Sequence, residues 1–301
     1  RDTLIGAGDN DKIDGGDGVD RMVGGVGDDT FTVDSRYDII IELPGEGTDS
    51  VYAATSYTLS SNIENLILLE GGDYTAGGNS LNNHLVGNSG SNILSGGLGI
   101  DTLEGGFGND IYVLSDSLDV IIDTGGKDTI RSPFDIDLIP GIENGELIGI
   151  LDATLVGNAA DNILTGNMGN NLLDGGLGID TLTGGTGSDQ FLVSANGPGI
   201  SPDIITDFSS LDDLFVFDLA SFGVQANRDD LTSSGLVSTT SFIKGVGVIA
   251  IDPNDHFLLD TAQGVLKFDS DGSGPAAALE VARLIGTIDP GFSANNIYVV
   301  I

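Results

Sequence analysis

Short runs of alternating polar and apolar residues recur along the chain, and each follows a turn that is rich in glycine. A run such as Thr102–Glu104 (TLE) places one large apolar residue between two polar ones. Because successive side chains of a β-strand point to opposite faces, each run predicts a short strand that buries one side chain. The glycines before it permit positive φ and a tight turn. The pattern therefore predicts an all-β protein of short strands and close turns.

The runs belong to units of nine residues that occur in three blocks. From Gly78 the chain reads GNSLNNHLV, GNSGSNILS, GGLGIDTLE and GGFGNDIYV, and from Gly157 it reads GNAADNILT, GNMGNNLLD, GGLGIDTLT and GGTGSDQFL. The N-terminal block holds a partial unit, RDTLI, followed by GAGDNDKID, GGDGVDRMV and GGVGDDTFT. The stretch GGLGIDTL is therefore written twice because a whole module is repeated.

Two such units make one coil of a right-handed solenoid, and each coil stacks on the next. This repeat predicts a solenoid with one inward side chain per unit rather than a globular sandwich. The expected inner ladder consists of Leu4, Ile13, Met22, Phe31, Leu94, Leu103, Tyr112, Leu164, Leu173, Leu182 and Phe191.

The segments between the blocks, 34–77 and 115–156, lack the nine-residue unit but keep strand-like runs such as ENLILL. We expect them to add further coils to the same solenoid, with separate globular inserts as the alternative. The predicted organisation is a first module at 1–77, a second at 78–156, a third block with its closing strand at 157–218, and a β-rich cap at 219–301 that carries a candidate secretion signal.

The charge balance limits the partners of the chain. It has 46 Asp and Glu residues against 10 Lys and Arg, which gives a formal net charge of −36 over 301 residues. Nucleic acids and anionic membranes are themselves negative, so they are excluded and a cationic partner is expected. No run approaches the roughly 18 apolar residues of a membrane helix. Since 40% of the residues are hydrophobic, we expect disorder without a cationic ligand and a core with one.

The acids themselves indicate which cation. Stacked coils bring the sixth-position acids of units two apart close together, and unpaired carboxylates at that spacing repel each other. Ca²⁺ suits such a site because it accepts six to eight oxygens in flexible geometry, whereas Mg²⁺ prefers a tighter octahedron. Zn²⁺ is disfavoured because the chain has no Cys and only His84 and His256, which are distant in sequence, could supply nitrogen.

These units resemble the RTX (hemolysin-type calcium-binding) repeat, GGxGxDxUx with U large and apolar, which forms a parallel β-roll in secreted bacterial proteins. By this resemblance each Ca²⁺ lies between one unit and the unit after next. The first unit supplies carbonyls from its second and fourth residues and its sixth-position carboxylate. The other unit supplies carbonyls from its first and third residues and its own carboxylate.

Carried over to this chain, the resemblance pairs the sixth-position residues of successive coils: Asp2 with Asp20, Asp11 with Asp29, Asp20 with Asp38, Asn83 with Asp101, Asn92 with Asp110, Asp101 with Asp119, Asn162 with Asp180, and Asn171 with Asp189, with Asp203 following. The implied calcium ligands are Asp2, Asp11, Gly15, Gly16, Asp17, Gly18, Asp20, Gly24, Gly25, Gly27, Asp29, Asp38, Asn92, Gly96, Gly97, Gly99, Asp101, Gly105, Gly106, Gly108, Asp110, Asp119, Asn171, Gly175, Gly176, Gly178, Asp180, Gly184, Gly185, Gly187, Asp189 and Asp203.

Two kinds of position depart from the RTX pattern. Asn replaces Asp at four sixth positions, which keeps an oxygen but removes the charge, so weaker sites are expected there. For Asn83 and Asn162 a hydrogen-bonded ladder without an ion is an equal alternative. Asp38, Asp119 and Asp203 follow the last unit of each block, where a closing ligand is favoured over a solvated strand end.

The same resemblance sets the expected function. The chain lacks HExxH and GxSxG motifs, so catalysis by these residues is not expected, and a catalytic domain upstream stays open. We expect a calcium-binding module that folds after export by the type I secretion machinery, in the C-terminal part of a larger extracellular protein. DFSSLDDLFVFDLASF resembles the tail that follows the RTX roll in serralysin-type proteins, and NNIYVVI resembles the apolar ends of uncleaved C-terminal secretion signals. The alternative is a calcium-rigidified stalk of a cell-surface adhesin, or a module that binds cell-surface or matrix polysaccharide.

One further stretch, FDSDGSG at Phe268–Gly274, places two acids beside glycines. It lacks the full EF-hand spacing, so a hairpin turn is favoured over a calcium loop.

Overall fold

The computed structural model describes residues 1–194, 202–218, 220–222, 235–237, 239–251, 256–271, 277–286 and 288–300. These residues form β-strands joined by turns, with short 3-10 helices at Thr239–Ser241 and Ala294–Asn296. The third block is followed by the stretch SANGPGISP at 194–202, and residues 195–201 of it lie outside the described ranges, as do residues 272–274 of FDSDGSG and the final residue of NNIYVVI. The chain divides into two compact units, Arg1–Ser132 and Pro133–Ile301, which are described in turn.

The first unit is a parallel β-solenoid. Its strands are β1 (Thr3–Gly8), β2 (Lys12–Asp14), β3 (Arg21–Val26), β4 (Thr30–Val33), β5 (Ile39–Ile41), β6 (Ser50–Ala53), β7 (Tyr57–Thr58), β8 (Asn65–Leu68), β9 (Thr75–Gly77), β10 (His84–Val86), β11 (Ile93–Ser95), β12 (Thr102–Glu104), β13 (Ile111–Val113), β14 (Val120–Ile122) and β15 (Thr129–Ser132). Sheets run in the orders β1-β3-β5, β2-β4-β6-β8-β10-β12-β14 and β7-β9-β11-β13-β15.

Every second strand pairs in parallel, so equivalent residues of successive coils lie side by side. Leu85, Leu103 and Ile121 are aligned in one sheet, and Leu94, Tyr112 and Ile130 are aligned in another. The repeat is 18 residues in these coils, which is two nine-residue units. The predicted parallel solenoid is therefore confirmed.

The inward residues form the ladder that the sequence predicts. Ten of its eleven predicted members are buried: Ile13, Met22, Phe31, Leu94, Leu103, Tyr112, Leu164, Leu173, Leu182 and Phe191. Leu4 is half-buried, because its strand β1 is paired on one side only, with β3.

The first linking segment continues the solenoid. β6 and β8 lie between β4 and β10 in the same parallel sheet, which supports further coils over globular inserts. Coil length changes here, however: the hydrogen-bonded acids at the coil edge are 20 residues apart at Asp29 and Asp49 and 15 apart at Asp49 and Glu64. The nine-residue period is lost, but the stacking of coils is retained.

The second unit combines a solenoid with its cap. Its strands are β16 (Ile136–Asp137), β17 (Asn144–Leu147), β18 (Thr154–Val156), β19 (Ile163–Thr165), β20 (Leu172–Asp174), β21 (Thr181–Thr183), β22 (Gln190–Val193), β23 (Asp203–Ile205), β24 (Leu214–Asp218), β25 (Phe242–Gly245), β26 (Phe257–Asp260), β27 (Val265–Phe268), β28 (Leu279–Leu284) and β29 (Ile297–Val300). Two sheets run in the orders β16-β18-β20-β22-β24-β29 and β17-β19-β21-β23-β28-β27-β26-β25.

The cap covers the last coil on both sheets. β28 pairs in parallel with β23, and β29 pairs in parallel with β24, so neither solenoid strand is left as an open edge that could pair with another chain. Phenylalanines pack between the last coil and the cap. The ring centroids of Phe208 and Phe215 are 4.8 Å apart, and those of Phe208 and Phe292 are 5.2 Å apart. The β-rich cap predicted from the sequence is confirmed. The described part of FDSDGSG follows β27, which pairs antiparallel with β28.

The inner ladder predicts a large difference between two leucines four residues apart. Leu173 is fully buried between Leu155 and Phe191, whereas Leu177 lies in a turn and is 45% exposed. Leu173→Ala is expected to lower the free energy of unfolding by about 2–5 kcal/mol, because it leaves a cavity in the ladder. Leu177→Ala should change it by less than about 0.5 kcal/mol. Urea denaturation in saturating calcium measures both, and equal midpoints would contradict the ladder.

Candidate calcium sites

The structure brings together every pair of sixth-position residues that the sequence predicts. In each pair the main-chain N–H of one residue donates to Oδ1 of the equivalent residue in the next coil. The distances in the first block are 2.5 Å for Asp2–Asp20, 2.7 Å for Asp11–Asp29 and 2.9 Å for Asp20–Asp38. They are 2.7 Å for Asn83–Asp101, 2.7 Å for Asn92–Asp110, 2.9 Å for Asp101–Asp119, 2.7 Å for Asn162–Asp180, 2.8 Å for Asn171–Asp189 and 3.1 Å for Asp180–Asp203.

The second carboxylate oxygen of these acids is treated differently. In six of them, Asp11, Asp20, Asp29, Asp101, Asp110 and Asp180, the Oδ2 atom is buried and no donor among the described residues reaches it. A buried carboxylate that is half unpartnered is costly unless a proton or a cation compensates it. Burial accordingly raises the pKa of Asp101, and it raises that of Asp110 to about 6 and that of Asp180 to about 7. These oxygens are suitable ligands for a hard cation.

Glycine makes room for this arrangement. A Cβ on Gly96 would clash with the carboxylate of Asp101, and a Cβ on Gly97 or Gly99 would clash with main-chain oxygens of the preceding coil. Gly97 and Gly99 also have positive φ, 94° and 110°, which residues with a side chain rarely adopt. The glycines therefore allow carbonyls and carboxylates of successive coils to approach closely.

The Asn-bearing turns satisfy their polar groups within the chain. Asn88 donates from Nδ2 to the carbonyls of Leu69 and Gly72 at 2.8 and 3.0 Å. Asn92 accepts from the Asn88 N–H at 2.7 Å and donates to Asn88 Oδ1 at 3.1 Å. An amide donor and a cation compete for the same carbonyl lone pairs, so these hydrogen bonds reduce the number of carbonyl oxygens that this turn can offer to an ion.

The other Asn turns follow the same pattern. Asn171 donates to Asn167 Oδ1 at 3.2 Å, and Asn83 donates to the Ile63 carbonyl at 2.9 Å. Asn162 donates to the carbonyls of Ile142 and Glu143 at 3.3 and 3.2 Å. These contacts match the hydrogen-bonded alternative for Asn83 and Asn162, while the ligand role of Asn92 and Asn171 stays a prediction.

The residues that follow each block close the ladder of acids. Asp38 is buried, and it accepts from Asp20 through Oδ1 and from the Ser35 N–H, at 3.2 Å, through Oδ2. Asp119 is half-buried and accepts from the Asp116 N–H through Oδ2 at 3.2 Å. Asp203 is half-buried, and burial raises its pKa to about 6. None of the three is a solvated strand end, and their role as ligands stays a prediction.

The structure adds acids that the nine-residue pattern did not reveal. The N–H groups of Asp29, Asp110 and Asp189 donate to Oδ1 of Asp49, Asp128 and Asp213 at 2.8, 2.7 and 2.9 Å, and all three acceptor residues are buried. Each directly precedes a strand, in DSVYA, DTIRS and DLFVF, and the first two of these strands alternate between buried and less buried residues. An acid directly before a strand was therefore visible in the sequence, but the complete GGxGx stretch does not stand in front of these three acids.

Not every predicted ligand is enclosed. Asp2 and Asp17 are exposed, Asp2 because it lies in the first coil and Asp17 because it occupies the third position of its turn.

Comparisons with known proteins support the repeat assignment. A family model described as the RTX calcium-binding nonapeptide repeat matches four regions, 1–31, 77–112, 149–182 and 174–192. Endo-1,3-1,4-beta-glycanase ExsH of Rhizobium meliloti (strain 1021) is 38% identical over 86 residues, which is 28% of this chain and 18% of that protein. The chain thus spans less than a fifth of that curated relative. In the part of the chain that the structure describes, no helix is long and apolar enough to cross a membrane.

The matched regions contain the stacked GGxGxD turns whose acids carry the buried oxygens that lack a hydrogen-bond donor within the described ranges. The chain is therefore a calcium-binding parallel β-solenoid built on RTX nonapeptide repeats.

Proposed function

We propose that calcium binding folds this chain outside the cell, after its export by the type I secretion machinery as the C-terminal part of a larger protein. The observation that carries the proposal is the set of buried Oδ2 atoms at the sixth positions. Stacking the coils buries these charged oxygens. Ca²⁺ supplies the positive partner for them, since no hydrogen-bond donor of the described residues reaches them. Folding and calcium binding are thereby coupled.

The energetics favour a switch between compartments. Calcium sites of extracellular modules have dissociation constants of about 10⁻⁴–10⁻³ M, far above the level that the cytosol offers. A cation that binds only the folded chain at about 100 times its dissociation constant contributes about 2.7 kcal/mol. Several such ions stabilise a marginal fold, and without them a net charge of −36 opposes compaction. An unfolded chain in the cytosol is the form that an export channel can thread.

The role we propose is binding rather than catalysis. The acids that a hydrolase would need are held in turns by main-chain hydrogen bonds, such as the 2.7 Å bond from Asn83 to Asp101. The similarity to the glycanase covers 28% of this chain, which supports a shared module rather than a shared reaction. Export and an extracellular location are supported by the RTX repeats, since proteins with such repeats are generally secreted.

The chain is expected to be largely unfolded in chelator and to gain β-structure cooperatively as Ca²⁺ approaches millimolar concentrations. Far-ultraviolet circular dichroism during a calcium titration measures this, with Mg²⁺ at equal ionic strength as the control. A β-spectrum that chelator does not change would contradict calcium-dependent folding.

A single sixth-position acid should set the calcium requirement. Asp101→Asn keeps an acceptor for the Asn83 N–H but removes the charge of a carboxylate whose Oδ2 atom is buried and meets no hydrogen-bond donor among the described residues. We expect the calcium midpoint of folding to rise by about tenfold, which corresponds to about 1.4 kcal/mol. Asp137→Asn, at an exposed strand position, is the charge-matched control and should leave the midpoint unchanged. Equal midpoints for the two variants would count against the ligand assignment.

The buried acids also predict a pH dependence. Burial raises the pKa of Asp110 to about 6 and the pKa values of Asp180 and Glu42 to about 7, whereas carboxyls of an unfolded chain titrate near about 4. The cation-free fold therefore binds more protons than the unfolded chain, and its stability falls as the pH rises from about 4 to about 7.

In chelator, lowering the pH from about 7.5 to about 5 should therefore increase the β-structure. In the presence of calcium the same change should raise the calcium midpoint, because protons compete with the cation. Circular dichroism at both pH values tests the two effects. A chelator spectrum that stays constant across this range would argue against proton uptake by the buried acids.

A further inference from the structure

Two acids lie just beyond strands that close a block, outside any GGxGxD unit. Glu42 follows β5 in DIIIE, and Asp123 follows β14 in DVIID. Glu42 accepts from the Gly24 N–H at 2.7 Å, so its carboxylate lies over the turn of the preceding coil. A Cβ on Gly24 would clash with the carboxylates of both Glu42 and Asp29. The turn thus leaves space for two acids side by side.

Asp29, Glu42 and Asp49 form a closed cluster of three carboxylates. One oxygen from each lies within 4.8 Å of the others. The three residues are 1%, 5% and 1% exposed. Oδ2 of Asp29 and Oε2 of Glu42 are buried and meet no hydrogen-bond partner in the described ranges. These two oxygens, aimed into a cluster of like charges, indicate a cation rather than a hydrogen-bond network.

Asp110, Asp123 and Asp128 form the equivalent cluster one module later, again with one oxygen from each within 4.8 Å. Tyr112 orients this second cluster because its hydroxyl donates to Asp123 Oδ1 at 2.7 Å. The Asp110 N–H donates to Asp128 Oδ1 at 2.7 Å, and Asp110 Oδ2 is buried and unpartnered within the described chain. The arrangement recurs with different residues, Glu42 being replaced by the shorter Asp123.

The end of the third block is built differently. Both oxygens of Asp207 accept hydrogen bonds, from Gly184 at 2.9 Å and Gly185 at 2.8 Å. Those of Asp213 accept from Asp189 and Ser209 at 2.9 and 2.8 Å. The carboxylates there are satisfied by main-chain donors, so this end offers a natural comparison.

We infer that the ends of the first and second blocks each bind a hard divalent cation of the calcium type between three carboxylates: Asp29, Glu42 and Asp49, and Asp110, Asp123 and Asp128. Such a cation accepts six to eight oxygens from flexible carboxylates, and three acids offer more negative charge than the two of a consensus site. The inference rests on the proposed calcium binding and adds ligands outside the nonapeptide. Each ion joins the last GGxGxD turn to a coil that lacks the motif.

Calcium stoichiometry of the full chain tests the first site. Glu42→Gln retains an acceptor for the Gly24 N–H and removes the charge. Isothermal titration calorimetry with CaCl₂ is expected to show one bound ion fewer than in the wild type, or a loss of about tenfold in affinity for one ion, equivalent to about 1.4 kcal/mol. Asp207→Asn, the matched control at the third block, should keep the wild-type stoichiometry and affinity.

The outcomes separate the two proposals. A wild-type chain that binds no calcium would refute the proposed function. A wild-type chain that binds calcium while Glu42→Gln and Asp123→Asn bind it with unchanged number and affinity would overturn the three-carboxylate sites alone.

Terbium luminescence tests the second site without relying on a stability measurement. The chain has no Trp and six Tyr, so ultraviolet light excites tyrosine, and Tyr112 contacts the proposed ligand Asp123 directly. With Tb³⁺ bound to the full chain, Tyr112→Phe and Asp123→Asn should each lose a large part of the sensitised emission, while Asp207→Asn keeps it. Emission that survives both substitutions would overturn the site at Asp110, Asp123 and Asp128.

Discussion

The fold depends on one repeated interaction, the burial of a carboxylate between stacked turns. One oxygen of each such acid accepts a main-chain N–H of the preceding coil, as Asp101 does from Asn83 at 2.7 Å. This bond sets the spacing of successive coils at the edge of the solenoid, while residues such as Leu103 set it in the interior. The other oxygen is left in a site from which water is excluded. The contact that aligns the coils therefore also buries a negative charge that a cation can neutralise.

The Asn turns show the same arrangement without the buried negative charge. Asn92 occupies the same place in its turn as Asp101 and Asp110 in theirs, and its N–H makes the same bond to the next coil. Its amide, unlike a carboxylate, brings its own donor, which bonds to Asn88 Oδ1 at 3.1 Å. The same backbone geometry therefore accommodates two kinds of turn. In the neutral turn the amide side chains hydrogen-bond to each other, and in the acidic turn a buried carboxylate favours a cation.

Much of this could be predicted from the sequence because the nine-residue period fixes both the inward apolar residue and the sixth-position acid. The inner ladder followed from that period, as did the closeness of acids two units apart, whereas the individual pairs were implied by the RTX resemblance. Asp49 and Asp128 were missed because only part of the glycine stretch precedes them, GEGT before Asp49 and GGK before Asp128. In the first linking segment coil length also changes to 20 and then 15 residues. Stacking there is maintained by strand pairing between β4, β6 and β8, which a search by period does not detect.

The requirement for positive charge rises along the second block. Its first turns carry Asn83 and Asn92, and the next carry Asp101 and Asp110, each with one oxygen that no donor in the described part of the chain reaches. Its end gathers three acids.

The third block begins in the same way, with Asn turns, but its end is covered by the cap. The cap residue Asn296 donates to the Asp213 carbonyl at 3.1 Å, Ser210 donates to Asp289 at 2.6 Å, and β28 and β29 cover both sheets. Main-chain donors satisfy Asp207 and Asp213 where the cap is in place. The block ends thus differ in how their acids are compensated: main-chain donors satisfy Asp207 and Asp213 at the third block, whereas the three-acid clusters of the first two blocks are the places where we infer a cation.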